Sequence, residues 1–312
     1  MMKKLISIFS IILFLASCDD LQTVIDIDLP PHESKLVINS SNQFGKPFRA
    51  YISHSIDPLS NDNFEFYSNA SVTLFENDML IDTLSFIDSS YFYQSNVSVD
   101  INKTYAIEVN HPSHLLIKSK NIRAPDPVEI STDSNLTSSS ADGVNSLEFS
   151  FNDPIGPNYY LLKLKAFFSY ENFDGQIQND SYGLGFDSSD PSISNGSFEF
   201  DDEFSAKKVL FDDVLFNGET KRLQLEYISF GYYDDVVREG SKIDSISIIL
   251  CSVDYDFYQY HKTRIQQKQT GGGAIFGTEP VNVYNSFDND DGSIPAYGLF
   301  SIISKDTLVL KP

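Results

Sequence analysis

Tryptophan is absent from the 312 residues, and only 2 cysteines, 3 methionines and 5 histidines occur. Without tryptophan the broadest stacking surface for a sugar ring is missing, and tyrosine has to serve. Two cysteines give no disulfide framework, and none at all inside the fold if one of them is otherwise occupied, so stability rests on core packing. Cations are scarce: 22 Lys and Arg stand against 44 Asp and Glu, a formal charge of −22. Such a surface repels phosphate backbones and anionic headgroups and excludes nucleic acid as a partner. It is open to a basic partner or divalent cations, although diffuse solvation is its ordinary meaning. Motifs for phosphate binding and catalysis are missing too. There is no Gly-x-Ser-x-Gly elbow, no His-Glu-x-x-His and no phosphate loop. "GGGAIFG" is glycine-rich but follows a helix instead of opening one. Paired carboxylates carry no weight for glycoside chemistry in a chain this acidic.

Long apolar runs are confined to Leu5–Leu15, too short for a membrane span of about 20 residues. Lys3 and Lys4 precede this run, and Leu15-Ala16-Ser17 follows it, directly before Cys18. The pattern is a secretory signal. Its Leu-Ala-Ser-Cys ending resembles the bacterial lipobox, which implies diacylglycerol transfer to the Cys18 sulfur and cleavage before Cys18. Residues 1–17 then form a signal peptide outside the fold. Residues 18–33 form a tether, stiffened by Pro30 and Pro31.

The remaining chain is rich in phenylalanine (25) and tyrosine (17), which favour pleated, half-buried surfaces. "KLVINS", "FRAYISHS", "ASVTLFEND", "LIDTLSFID", "TYAIEV" and "LLIKSK" alternate between turn signals, as a β-sandwich predicts. An immunoglobulin-like domain over 34–125 fits this spacing, with "RAPDPVEI" as a linker. A second β-rich domain over 126–312 follows. Its Asp-, Ser- and Asn-rich middle reads as long loops carrying short strands. "SISIILCSV" reads as a buried strand in which Cys251 is a small hydrophobe. "SVDYDFYQYHKTRIQQKQTGGG" predicts a helix at about 253–269, capped by Ser252 and ended by Gly271–Gly273. "PVNVYNS", "GLFSIIS" and "TLVLKP" read as closing strands. The fold class is all-β (mainly β): an N-terminal immunoglobulin-like β-sandwich, then a larger sandwich-like domain with one helix near the C-terminus.

Several clusters suggest sites. "FDNDDGS" (Phe287–Ser293) resembles a calcium loop but has Ser293 where an EF-hand needs glycine and Leu299 where it needs glutamate, so it reads as a tight acidic turn. Asp187, Asp190, Asp201, Asp202 and Glu203 gather oxygen ligands at irregular spacing. His111 and His114 flank a Pro112 turn, with no Cys or third His nearby in sequence for zinc. The aromatic clusters Tyr91–Ser95 and Phe230–Asp235 read as cross-strand packing in preference to ligand contact. No cofactor, metal site or catalytic residue is expected.

"CDDLQTVIDIDLPPHESKLVINS", "NASVTLFEND", "KTYAIEV", "NDPIGPNYYLLKL", "DYDFYQYHKTRIQQ" and "EPVNVYNSFDNDDGSIPAYGLFS" together resemble the domain of unknown function 4249 family of Bacteroidota lipoproteins. "PAYGLF" stands where that family usually has a tighter glycine pair. The shared motifs are short and structural, so no active site carries over. The resemblance implies an outer-membrane lipoprotein of β-sandwich architecture whose gene accompanies TonB-dependent-receptor-like proteins. Asp19 and Asp20 resemble the surface-export signal of those bacteria. In proteobacteria Asp19 would instead mark inner-membrane retention. The expected function is a non-enzymatic surface module, anchored to the membrane through Cys18, that partners an outer-membrane β-barrel transporter. The alternative is a carbohydrate- or protein-binding adhesin that works without a transporter.

Overall fold

Alternating residues build most of the chain. In β1 (Leu36–Gln43) Leu36 and Ile38 point inward, and in β2 (Pro47–His54) Phe48, Ala50 and Ile52 do so. The computed structural model describes residues 32–57, 60–131, 133, 135–137, 144–172, 174–194, 198–202, 205–228, 242–271, 281–287 and 293–311. Residues 1–17, expected from the sequence to be a signal peptide, and Cys18, Asp19, Asp20, Glu203, Phe230–Asp235 and 288–292 lie outside the described residues.

The first half continues through β3 (Ser71–Glu76), β4 (Met79–Thr83), β5 (Ser85–Ile87), β6 (Phe92–Ser98), β7 (Thr104–Asn110), β8 (Ile117–Lys118) and β9 (Ile122–Arg123). Asn77 and Asp78, both at positive φ, make the tight turn between β3 and β4. The second half contains β10 (Asn135–Thr137), β11 (Val144–Asn152), β12 (Tyr159–Glu171), β13 (Ile177–Leu184) and the one-turn helix α1 (Pro191–Ser194). It ends with β14 (Phe198–Asp202), β15 (Ser205–Asp212), β16 (Thr220–Ile228), β17 (Lys242–Val253), α2 (Tyr255–Gly271) and β18 (Ala296–Leu310). The structure is mainly β, as the composition predicts.

One ten-stranded sheet runs β14-β15-β12-β17-β18-β1-β2-β6-β5, with β13 also on β12. The last strand joins the two halves. β18 pairs antiparallel with β17 from Ile246↔Leu310 to Val253↔Ile303, and parallel with β1 from Leu36↔Ala296 to Gln43↔Ile303. Two smaller sheets, β4-β3-β7-β8 with β9 on β7, and β10-β11-β16, pack on it.

Side-chain parity places these layers. In β18 the even residues Ala296, Phe300 and Ile302 enter the core shared with β3 and β7, and Leu308 and Leu310 pack on the core shared with β11 and β16. The odd residues Leu299 and Ile303 pack with Phe257 and Tyr258 of α2. Both small sheets therefore cover one face of the long sheet, and α2 covers part of the other. The "RAPDPVEI" stretch is packed as well: Ala124 belongs to the first core, Val128 and Ile130 to the second. Each fully buried Leu, Ile or Phe contributes about 1.5–3 kcal/mol. Ser34–Pro312 holds together as one unit.

The structure corrects two local expectations. The helix is capped by Asp254, whose Oδ1 accepts the Phe257 N–H at 2.7 Å, while Ser252 is the penultimate residue of β17. An aspartate carboxylate reaches the N3 amide, and a serine held in a strand ladder cannot. "PVNVYNS" forms no strand within 281–286. Its backbone follows α2 instead, with the Tyr284 N–H donating to Thr263 Oγ1 at 2.8 Å and Asn285 Nδ2 to the Ala296 carbonyl at 2.7 Å.

Candidate functional site

Two connections at one end of the long sheet are locked together by buried polar groups. Between β11 and β12, "DPIGPN" cannot continue a strand, because Pro154 and Pro157 supply no N–H and Gly156 sits at φ +120. The Asp153 carboxylate accepts the Tyr160 hydroxyl proton and, at 2.8 Å, the Gly218 N–H. Asp213 Oδ2 accepts the Asn158 N–H at 2.9 Å. Asn158 Nδ2 donates to the carbonyls of Pro154 (2.7 Å) and Gly156 (2.8 Å), and the Gly156 N–H donates to Asn217 Oδ1 (3.0 Å). Burial pushes the Asp213 carboxyl up, and nearby Asp153 adds to the effect. Burial first, then Asp153, pushes the Tyr160 hydroxyl well above its ordinary value, so it stays a donor. This framework holds Ile155 outward, 93% exposed, with Val214 and Leu215 also exposed on the facing turn.

Beside this apolar lip, tyrosines gather at the start of α2. Tyr159 crosses Tyr255 edge-on (centroids 5.8 Å apart) and stacks on Tyr258 (4.5 Å); Tyr255 meets Tyr284 at 6.0 Å. Tyr258 donates to Asp212 Oδ2 at 2.8 Å, and Tyr284 to Asp256 Oδ1 at 2.7 Å. Asp254 ties the helix start to β18, because its Oδ2 accepts the Ile302 N–H at 3.0 Å. As a residue Asp254 is only half-buried, but its carboxyl oxygens face backbone amides, and desolvation pushes the group up to about 7.

Pro125, Pro154, Pro157, Tyr159, Tyr255 and Ser252 help to wall a cleft of about 550 Å³, with Asp126 and Asp254 also on its surface. Ser252 is almost wholly buried, and its hydroxyl has no partner among the described residues. Asp126 is engaged by Arg123 at 2.7 Å. Among the described residues no histidine, lysine or cysteine lines the cleft. Its chemistry is that of a rigid aromatic and proline surface with a few hydroxyls, suited to holding a ligand.

The sequence candidates lie elsewhere. His111 and His114 do meet, but around Tyr67. Tyr67 stacks on His111 (4.0 Å, 6°) and on His54 (5.2 Å, 17°), and its hydroxyl is 3.1 Å from His114 Nε2. His111 Nε2 pairs with Asn69 Oδ1 at 2.9 Å. Both Nε2 atoms are thus engaged by protein groups. Asp190 is held by Lys221, whose Nζ reaches both carboxylate oxygens at 2.8 Å, and it caps α1 through the Ser192 N–H. Burial alone would raise this carboxyl, but Lys221 and Ser192 hold it below its ordinary value. Asp187 bridges to Glu226 through backbone. Asp201 and Asp202 lie in β14. Among the described residues no three His, Cys, Asp or Glu side chains converge as metal ligands. Cys251 is fully buried and free. The Tyr91–Ser95 cluster divides: Phe92 and Tyr93 are buried, while Tyr91 is 58% exposed and stacks on Phe66, beside exposed Phe64 and Tyr51.

The cleft was missed in the sequence because three separate stretches build it. Two of them, "NDPIGPNYYLLKL" and "DYDFYQYHKTRIQQ", are among the stretches that carry the family resemblance. Fold and cleft together define a mainly-β protein with two cores, a helix-braced long sheet and an aromatic, proline-walled cleft at one end. The chain belongs to the family described as Domain of unknown function (DUF4249), which it matches over residues 22–308. No curated protein matches it.

Proposed function

We propose that the chain is a lipid-anchored binding module of the outer membrane. It faces the cell exterior and serves, without chemistry of its own, as an accessory to a TonB-dependent-receptor-like β-barrel transporter. The observation that carries this reading is the rigid apolar lip of Ile155, Val214 and Leu215 beside a cleft walled by tyrosine and proline. Exposed apolar residues on a backbone braced by several hydrogen bonds lose little conformational freedom on binding, which suits a docking site. The leader supports the placement. A thioether lipid on Cys18, with a second acyl group on its amine, gives durable anchoring at about 0.8 kcal/mol per buried CH₂. Asp19 and Asp20 then direct sorting to the surface. No helix among the described residues is long and apolar enough to cross a membrane.

Extraction in mild detergent at native expression is the test. A β-barrel protein should co-purify, and changing Ile155 and Leu215 to aspartate should reduce its recovery. Recovery of the lipoprotein alone rejects the partnership. The exposed rings of Tyr51, Phe64, Phe66 and Tyr91 favour a second reading, an adhesin that contacts glycan or protein directly. Glycan-array binding that Tyr91→Ala abolishes, with no co-purifying barrel, would select it.

A further inference from the structure

Residues 18–33 join the fold at Ser34, at one defined end of the long sheet. Ser34 Oγ donates to the Ser55 carbonyl at 3.1 Å and the Lys35 N–H to Ser55 Oγ at 3.0 Å, so the chain enters beside the end of β2. Three connections at this same end carry exposed apolar side chains. Phe64 (57% exposed) and Phe66 lie between β2 and β3, Tyr91 between β5 and β6, and Leu115 (77%) and Leu116 between β7 and β8. They are fastened to one another. The Tyr67 ring, next to Phe66, stacks on His54 at the end of β2 and on His111 after β7, and Phe66 stacks on Tyr91 at 5.9 Å. Tyr91 sits at φ +55, which residues other than glycine seldom adopt, and there its ring projects into solvent.

We propose that this end is a membrane-contacting surface: Phe64, Phe66, Tyr91, Leu115 and Leu116 enter the interfacial layer of the bilayer that holds the Cys18 anchor. The point of chain entry selects this occupant. An anchored module meets its bilayer at this end with no demand on residues 18–33; the opposite end, across the length of β3 and β7, meets it only if they are drawn back along the fold. The shape agrees. A protein or glycan partner needs a complementary recess, whereas these side chains stand on the tips of separate connections, which a fluid apolar layer accepts without complementarity. Phenylalanine, tyrosine and leucine are also residue types that settle at the boundary between headgroups and acyl chains. Asp62, Glu65 and Asp88 stand exposed in the same connections, so the contact depends on apolar burial and not on attraction to headgroup charge. Five side chains orient the module while the acyl chains retain it. This contact rests on the lipid-anchor reading above and adds which end of the module the membrane touches.

The protein has no tryptophan, so a single introduced tryptophan reports its own surroundings. Lipidated protein is reconstituted into phosphatidylcholine vesicles, with and without bromine on the acyl chains. Phe64→Trp and Leu115→Trp should be quenched by the brominated chains and should emit at shorter wavelength than Met79→Trp. Met79 is as open to solvent, at 67% exposed, but lies on the β3–β4 turn at the opposite end, and its tryptophan should stay unquenched. Circular dichroism establishes that each variant is folded; where Phe64→Trp or Leu115→Trp does not fold, the other carries the comparison. Equal quenching at position 79, no quenching at 64 and 115, or quenching that high salt abolishes overturns the proposal. Unquenched tryptophans together with glycan binding that Tyr91→Ala removes also overturn it and assign the rings to the adhesin reading. Vesicle flotation separates the two failures. Protein that floats with the vesicles while both tryptophans stay unquenched keeps the anchor and rejects this contact. Protein that does not float rejects the anchor, and the contact with it.

Discussion

Gly298 of β18 lies so close to Ile38 of β1 that a β-carbon there would fall 2.1 Å from the Ile38 carbonyl oxygen. The two are register partners in the parallel pairing that joins the last strand to the first. Gly298 also sits at φ +118, outside the ordinary range of other residues. An added methyl group must push backbone, which cannot swing aside. Gly298→Ala should cost about 3 kcal/mol or more. Gly156→Ala, at φ +120 with nothing within 4 Å, should cost only about 1–2 kcal/mol from its backbone conformation. Urea denaturation of both variants compares them; a native midpoint for Gly298→Ala would show that β1 and β18 can separate freely.

Asp254 should make stability fall as pH rises. Its folded value of about 7 lies above the ordinary 3.8. Between these values the folded state holds the proton more tightly than the unfolded chain. The contribution is complete below about pH 4 and is lost as pH climbs through about 7. Asp254→Asn keeps an acceptor for the Phe257 amide and should flatten this slope in denaturation curves taken from pH 4.5 to 8.

The histidine cluster should act in the opposite direction. Burial, then His54, holds His111 below its ordinary 6.5; burial, then His111 and His54, does so for His114. The unfolded chain therefore takes up protons that the stack around Tyr67 resists. This contribution is present above about pH 6.5 and is lost as pH falls below it. His111→Asn should remove part of the acid loss. A variant with the parent's acid limb would place that limb elsewhere.

The two cysteines should differ completely. Cys18→Ala should move the protein from the membrane fraction to the soluble fraction, and unchanged retention would exclude a thioether anchor. Cys251 is buried, and burial pushes its thiol up, so native protein should take up no maleimide there. Labelling should appear only in denaturant, and rapid native labelling would mean that the contact between α2 and the sheet opens readily.

Tyr160→Phe should leave the Asp153 carboxylate with only the Gly218 amide as a partner. Removing a donor from a buried carboxylate costs about 1–3 kcal/mol. Because Asp153 braces the lip, exchange of the hydrogen-bonded amides of Gly156 and Asn158 should accelerate with little change in β3 or β7. Uniform acceleration throughout the chain would mean that the network serves the whole fold and not the lip.

Alternation was legible wherever one face of a strand is buried and the other is not. β1, β2, β3 and β7 could each be read because inward apolar residues, such as Phe48, Ala50 and Ile52 in β2, stand every second position. The helix was legible through its charge order, and its end at Gly271 was foreseen within two residues. Its cap was assigned two residues too early, since Ser252 and Asp254 are both good caps and only the strand length of β17 separates them. "PVNVYNS" alternates like a strand, yet side chains of α2 and β18 supply its hydrogen bonds. His111 and His114 were read as a pair with no third histidine nearby in sequence, because His54 and Tyr67 join them only in the folded chain.

The sequence by itself determined the class. Its aromatic and β-branched alternation commits the chain to sheets, because each strand must bury one face. Only tertiary structure decided that β18 completes both halves, that Gly298 must accept the backbone of β1, and that Pro125, Ile155, Ser252 and Tyr255 form one cleft. Those relations join separate stretches of the chain, Ile38 to Gly298 across nearly its whole length, and no local pattern encodes which strands will neighbour one another. Packing and register select them once all the apolar faces are buried together.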